Sequence, residues 1–332
     1  MAYETLGATR EQVSKVFSLT EERSEVVERF INLRTSVLVN NGVFINLLNF
    51  IFYDENFHVL PDSIKRLEND FRFISQRLNF GETNQAANAA MRTLKEYRVP
   101  LRTLIRTEDF VDSTMIMCNY LAFKAKWANP FNISNTMLVQ YGNKTKKMMS
   151  MKGRLRSSNF DSLKATVTEV PYEGDGKYCM LLIRPQRGYS IKQVYGYLRK
   201  NSLKDVLVKL ESDADEFGLK DVEVKLPRYA TNSRVILNRP LFKMGLSDMF
   251  DSNFANFDNF ADDKIYIYEI MHRVTVVITE SETIVHTTTP AYSFNRAFPS
   301  EETAVAEPFV YFIIEKTTAT ILFGGSYSRI SL

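Results

Sequence analysis

Chemistry-bearing residues are scarce in this chain. Its 332 residues include three histidines, two cysteines and one tryptophan. The histidines, His58, His272 and His286, form no metal-binding helix motif, and there is no CxxC pair. Gly174 and Gly176 precede Lys177, but no glycine stands where a phosphate loop needs its first one. A Gly-x-Ser-x-Gly elbow is also missing. These absences argue against an enzyme and against a bound metal or cofactor. Cys118 and Cys179 both lie in apolar, strand-like surroundings and read as buried free thiols, so they leave the compartment open.

Charge of one sign is missing too. The net charge of +3 gives no case for nucleic acid or an anionic membrane as partner. The densest basic stretch, Lys144 to Arg156, reads as a solvated strand edge or loop. The longest apolar run, Val43 to Phe52, is broken by Asn46 and Asn49 and falls far short of the ~20 residues that cross a bilayer. Met1-Ala2-Tyr3-Glu4-Thr5 lacks the basic and apolar regions of a signal peptide. Two glycosylation triplets are present, Asn132-Ile133-Ser134 and Asn143-Lys144-Thr145.

The hydrophobic content of 45% with 24% charged residues is that of a globular chain with a sizeable core. Residues 7 to 38 read as helices, with Thr9 as a cap answered by Gln12 and a second helix opening at Ser24. Val43 to Tyr53 reads as a buried strand. Pro61 to Leu78 and Thr83 to Glu96 read as helices, because apolar positions recur at three and four residues. Met115 to Trp127 is strand-like. Ala165 to Arg184 reads as a hairpin around Asp175-Gly176. Ile191 to Leu210 reads as two helices, Val222 to Leu226 as a strand stopped by Pro227, and Asn238 to Met249 as a short helix. From Ile265 onward the chain is mainly β. No repeat or low-complexity linker divides it, so 1–332 reads as one α+β domain.

Near the end, three segments occur in order. A β-rich run from His272 to Glu280 is followed by a stretch from Ser281 to Glu307 with few core-like apolar runs. Two strand-like blocks then close the chain, Pro308 to Ile314 and Thr320 to Gly325. A peptide held between two core strands is a bait on a rigid scaffold, and loops of this length are usually functional.

Several motifs carry a resemblance to a known family. Leu6-Gly7-Ala8-Thr9 with Gln12-Val13 looks like a helix junction of the serpins. Asn119 to Trp127 followed by Phe131 is similar to that family's Asn-x-x-x-Phe-Lys-x-x-Trp-x-x-x-Phe strand. Leu226-Pro227-Arg228-Tyr229 matches its Leu-Pro-Lys-Phe, Leu241 to Phe250 its Leu-Gly-Ile-x-x-x-Phe helix, and Ile321 to Gly325 its terminal Ile-Leu-Phe-x-Gly strand. The resemblance implies a single domain with a large main β-sheet, further sheets, surrounding helices and an exposed reactive loop at about 281–307. It also implies a protease as partner, a monomer, no cofactor and an extracellular location, with a cytoplasmic one left open.

The sequence departs from the family pattern in three places, one of them the Asx-Lys/His before the family's Pro-Phe, which is Ala306-Glu307 here. The resemblance begins where the family's second helix ends, so the chain reads as lacking the N-terminal helices, as a fragment or processed form would. In the hinge, the usual Glu-x-Gly-Thr and alanines become Glu280-Ser281-Glu282-Thr283-Ile284-Val285-His286-Thr287-Thr288-Thr289-Pro290. The β-branched residues favour a strand, with Thr283, Val285, Thr287 and Thr289 sharing one face. Pro290 impedes full insertion, because it cannot donate to a central ladder.

The resemblance also assigns roles. Glu280, Glu282, Thr283 and Val285 form the hinge. Asn119, Trp127, Arg228 and His272 control opening of the sheet, with Arg228 and Glu280 expected as an ion pair. Counting along the loop places the bait bond between Arg296 and Ala297, and arginine suits a trypsin-like pocket. Phe294 before Asn295 instead offers papain-like cysteine proteases an apolar side chain, with cleavage after Asn295. The alanine-poor hinge is similar to that of a small group of insect serpins directed at such enzymes. The alternative is a non-inhibitory serpin, a binding module whose loop is a substrate only.

Overall fold

The computed structural model describes residues 4–20, 22–39, 41–99, 105–141, 144–286 and 307–327. The first part is helical, α1 Gly7–Phe17 and α2 Arg23–Leu38, and leads into the long strand β1, Val43–Asp54. Thr9 does not cap α1. It lies inside the helix, where its hydroxyl donates to the Phe254 carbonyl and accepts from the Asn256 amide, while the Gln12 side chain accepts from the amides of Ser247 and Asp248. Tertiary contacts therefore absorb both polar groups of the expected cap.

Helix α3, Pro61–Phe71, stops at Arg72, whose φ of 55° is left-handed. The chain then becomes strand β2, Phe73–Leu78, so the expected helix to Leu78 is half strand. Helix α4, Thr83–Glu96, keeps its expected bounds, and β3 runs from Met115 to Lys126. Next come β4, Met137–Tyr141, β5, Lys144–Leu155, and β6, Ser157–Phe160. The expected hairpin is β7, Ala165–Pro171, with β8, Tyr178–Pro185. Helices α5, Ile191–Leu198, and α6, Leu203–Phe217, precede β9, Lys220–Pro227, and β10, Tyr229–Ile236. Helix α7, Asn238–Met244, ends early because Gly245 turns left-handed at φ 104°. The last strands are β11 Met271–Ile278, β12 Glu282–His286, β13 Phe309–Glu315 and β14 Thr320–Tyr327.

These strands make three sheets among the described residues. The main sheet has the order β10-β11-β12-β3-β1-β2, a second runs β14-β13-β8-β7-β6, and a third is β4-β5-β9. The basic segment from Lys144 is thus the central strand of the third sheet, not an edge or a loop. Met149, Met151 and Leu155 share one face of it in the core, and Lys146 and Lys152 stand on the other, where Met148 is also buried.

One large apolar cluster lies between the sheets. Phe123, Trp127, Val276, Ile278 and Val285 of the main sheet and its margin meet Met149, Met180, Leu182, Tyr311 and Ile313. Small residues of α4, Ala86, Ala87 and Ala90, let the helix sit close on Phe50 and Phe52 across the other face of the main sheet. Helices α5 and α6 cover the far side of the second sheet through Val194, Val206 and Leu210. This α+β layering buries each element's apolar face once. Both thiols are free. Burial pushes the Cys118 thiol up to about 12, with the Asp109 charge adding to it, and drives Cys179 well above its ordinary value. Both side chains are therefore packing residues, not nucleophiles.

The turn closing β13 and β14 rests on one buried carboxylate. Glu315 accepts the amides of Thr317 at 3.0 Å and Thr318 at 2.8 Å, and the Thr318 hydroxyl as well. Burial alone raises its pKa, but these hydrogen bonds outweigh that and hold it below the ordinary 4.5. A depressed carboxyl contributes stability above its ordinary pKa and loses it as pH falls through the folded-state value. We expect Glu315→Ala to lower stability at neutral pH by ~1–3 kcal/mol. The gap to the parent protein should close in acid, as read from urea unfolding at several pH values.

Candidate functional site

The site forms where β11 turns into β12. Thr279 and Glu282 close a tight hairpin. The Thr279 amide and hydroxyl both donate to the Glu282 carbonyl, and the Glu282 amide donates back to the Thr279 hydroxyl. From this turn β12 runs between β11 and β3 and pairs antiparallel with both. Thr283 faces Ile278 on one side and Ala125 on the other, and Val285 faces Val276 and Phe123. The first residues of the loop are therefore a central strand. Thr283 and Val285 point into the core and are fully buried, as expected of residues sharing one face.

Around the turn, the backbone is tied to the end of β3. The Trp127 amide donates to the Ser281 carbonyl at 3.1 Å, the Phe131 amide to the Glu280 carbonyl at 2.9 Å, and the Trp127 indole to the Thr279 carbonyl at 3.0 Å. Trp127 stacks on Tyr172 with ring centroids 4.8 Å apart and meets Phe131 edge-on. The Glu280 carboxylate is 5% exposed. It accepts the Thr136 hydroxyl at 3.1 Å and pairs with Arg228 at 3.2 Å. Glu282, in contrast, points outward, 3.4 Å from the Lys124 ammonium.

The sequence-derived residues thus fall into three groups. Trp127, Arg228, Glu280, Glu282, Thr283 and Val285 come together at this turn. Asn119 lies lower on β3 and is exposed, and its amide donates to Asn49 at 2.5 Å. Asn49 in turn donates to the Phe71 carbonyl. On β11, His272 stands opposite Val235, as far below Val276 as Asn119 is below Phe123, so the two strands carry them at one level. The His272 side chain, the hinge residues Thr287, Thr289 and Pro290, and the bait residues Phe294, Asn295, Arg296 and Ala297 lie outside the described residues. Thr136, Lys124 and Tyr172 belong to the site but were not singled out as functional. Lys124 stood within the quoted strand motif, yet nothing in the local sequence pairs it with Glu282. Among the described residues, no group of three or more His, Cys, Asp or Glu could hold a metal ion. No described helix is long and apolar enough to cross a membrane.

The segment that directly follows β11 thus completes the main sheet between β11 and β3. The family model described as Serpin (serine protease inhibitor) matches residues 1–330, and the chain belongs to the serpin family. Membership places it among inhibitors rather than catalysts. The chain is 26% identical to "Leukocyte elastase inhibitor A" of Rattus norvegicus over 97% of its own length and 87% of that protein's. The fold is similar to the solved structure "Cleaved Serpin 42Da", with a TM-score of 0.78 and 21% identity, covering 100% of this chain and 88% of the other. It is also similar to the thermophilic serpin tengpin in the latent state, with a TM-score of 0.75 and 17% identity over 98% of this chain and 86% of the other.

Removing Arg228 would strand the buried Glu280 charge. We expect Arg228→Ala to lower stability by ~1–3 kcal/mol, and Thr136→Val by about 1 kcal/mol. An Arg228→Ala melting temperature equal to the parent's would show that the pair contributes nothing.

Proposed function

We propose that this chain is a protease inhibitor of serpin type, whose loop at about 281–307 is offered as a substrate and then drawn into the main sheet. The observation that carries this reading is β12: Glu282–His286 lies at the centre of the sheet, with Thr283–Val285 paired to both β11 and β3. A hinge without alanines therefore fits the insertion site. Val285 fills the core face, and Glu282, where the family carries glycine, keeps its carboxylate on the outer face. The substrate-only reading rested on that hinge and is weakened by this fit.

The target protease attacks the loop through its own Ser or Cys nucleophile to give an acyl-enzyme. Insertion distorts the captured enzyme before water completes hydrolysis, and the inhibitor supplies no catalytic group. We assign papain-like cysteine proteases as the favoured target, on Phe294 before Asn295, and trypsin-like serine proteases as the second, on Arg296 before Ala297. The complex is one-to-one with a monomeric inhibitor. Mixing the chain with papain and with trypsin tests this on a denaturing gel. An SDS-stable complex with loss of protease activity is expected, whereas clean loop cleavage with full protease activity supports the substrate-only module. Phe294→Ala should weaken papain inhibition more than trypsin inhibition. Arg296→Ala should greatly slow trypsin cleavage, and an unchanged cleavage site by mass spectrometry would move the bait elsewhere.

We place the protein outside the cell. The triplet Asn132-Ile133-Ser134 supports this, because it lies in an exposed turn beyond β3, with Ile133 62% exposed. Its Asn132 side-chain oxygen accepts the Ser134 amide at 2.9 Å, leaving the amide nitrogen outward. Protein secreted from insect cells should carry an N-glycan at Asn132 by peptide mass spectrometry. Unmodified Asn132 would count against this location.

A further inference from the structure

We propose that Lys124, Lys126 and Glu282 form an electrostatic catch that draws the hinge into the main sheet. The inference deepens the inhibitor reading and rests on it for its consequence, though not for its geometry. In an antiparallel ladder, directly paired residues share a face. Thr283 and Val285, paired with Ala125 and Phe123, face the large inter-sheet core, so Glu282 and Ile284, paired with Lys126 and Lys124, lie on the opposite face of the sheet. Glu282 thus sits opposite one lysine and diagonal to the other. Its carboxylate is 3.4 Å from the Lys124 ammonium, with the two side chains 21% and 54% exposed.

On β3 alone, Lys124 and Lys126 project from the same face ~7 Å apart, as residues two positions apart in a strand do. They border a cleft of about 570 Å³ that also contains Glu173, Asp175 and Phe44. Asp175 is committed elsewhere, since it accepts the amides of Asn41 and Lys177. Among the described residues, Glu173 makes no ion pair within 4.0 Å, and the ion pair formed by Lys124 is with Glu282. The arriving hinge therefore brings a counter-charge to two like charges. A glycine at this position would leave the cleft unfilled and the lysines unanswered. The open cleft also explains how a side chain this large is tolerated in a central strand, because it never enters the core. Glu282 and Lys124 are positioning residues in this account, since neither touches the scissile bond.

The test is a charge swap. Glu282→Lys, Lys124→Glu and the double variant would be compared with the parent chain at low salt and at 1 M NaCl. One readout is the rate of SDS-stable complex formation with papain and trypsin. A second needs no trapping: the rate at which the chain, nicked in its loop by either protease, gains thermal stability. Each single variant is expected to slow both rates roughly three- to tenfold at low salt, as loss of a partly exposed ion pair plus repulsion allows. The double variant should recover to near the parent rate. High salt should narrow the differences, because screening then acts within ~3 Å. Singles as fast as the parent, or a double variant no better than the singles, would overturn the catch. So would a nicked parent chain that gains no stability. A parent chain that gains stability on nicking but traps neither protease would defeat the inhibitor reading alone, and the second readout would still decide the catch.

Discussion

The structure depends on one vacancy that backbone must fill, the space between β11 and β3. Both strands present inward-facing edges of N–H and C=O groups, and unpaired backbone groups of this kind are costly when buried. A strand placed between them satisfies the two edges at once, and β12 does so antiparallel to both, with residues that directly follow β11. The Thr279–Glu282 hairpin, the Trp127 indole on the Thr279 carbonyl and the Arg228–Glu280 pair all gather at the point where that strand begins.

This constraint explains why a protein with so few reactive side chains can act on an enzyme. On the proposed reading, its free energy lies in ladder hydrogen bonds and buried apolar area that insertion of the loop would make available. The two thiols are pushed far from reactivity by burial, and the polar groups of the site serve to hold the backbone. The other layers give this transition a rigid frame: α4 packs close through alanines on one face of the sheet, and the second and third sheets pack on the other.

Much of this was legible in the sequence. The strand from Met115 was visible because an apolar run ends in a specific motif around Phe123 and Trp127, and α4 showed clean three- and four-residue spacing. The misreadings have physical reasons. Phe71, Ile74 and Leu78 keep helical spacing across Arg72, and the left-handed break at Arg72 uses no glycine to announce itself. In β5 the lysines masked a central strand whose methionines are buried. Thr9 and Gln12 had the residue types of a helix cap, but distant backbone at 247–256 claimed both. Lys124 and Thr136 escaped notice because their partners, Glu282 and Glu280, are far away in sequence.

Amide hydrogen exchange across residues 279–286 tests the central claim most directly, followed in the intact chain and after cleavage of the loop. The account predicts that in the cleaved chain the amides of Glu282–His286 are protected to the same degree as those of β3 and β11 beside them. Exchange of that segment at the rate of free peptide, with β3 and β11 still protected, would contradict it.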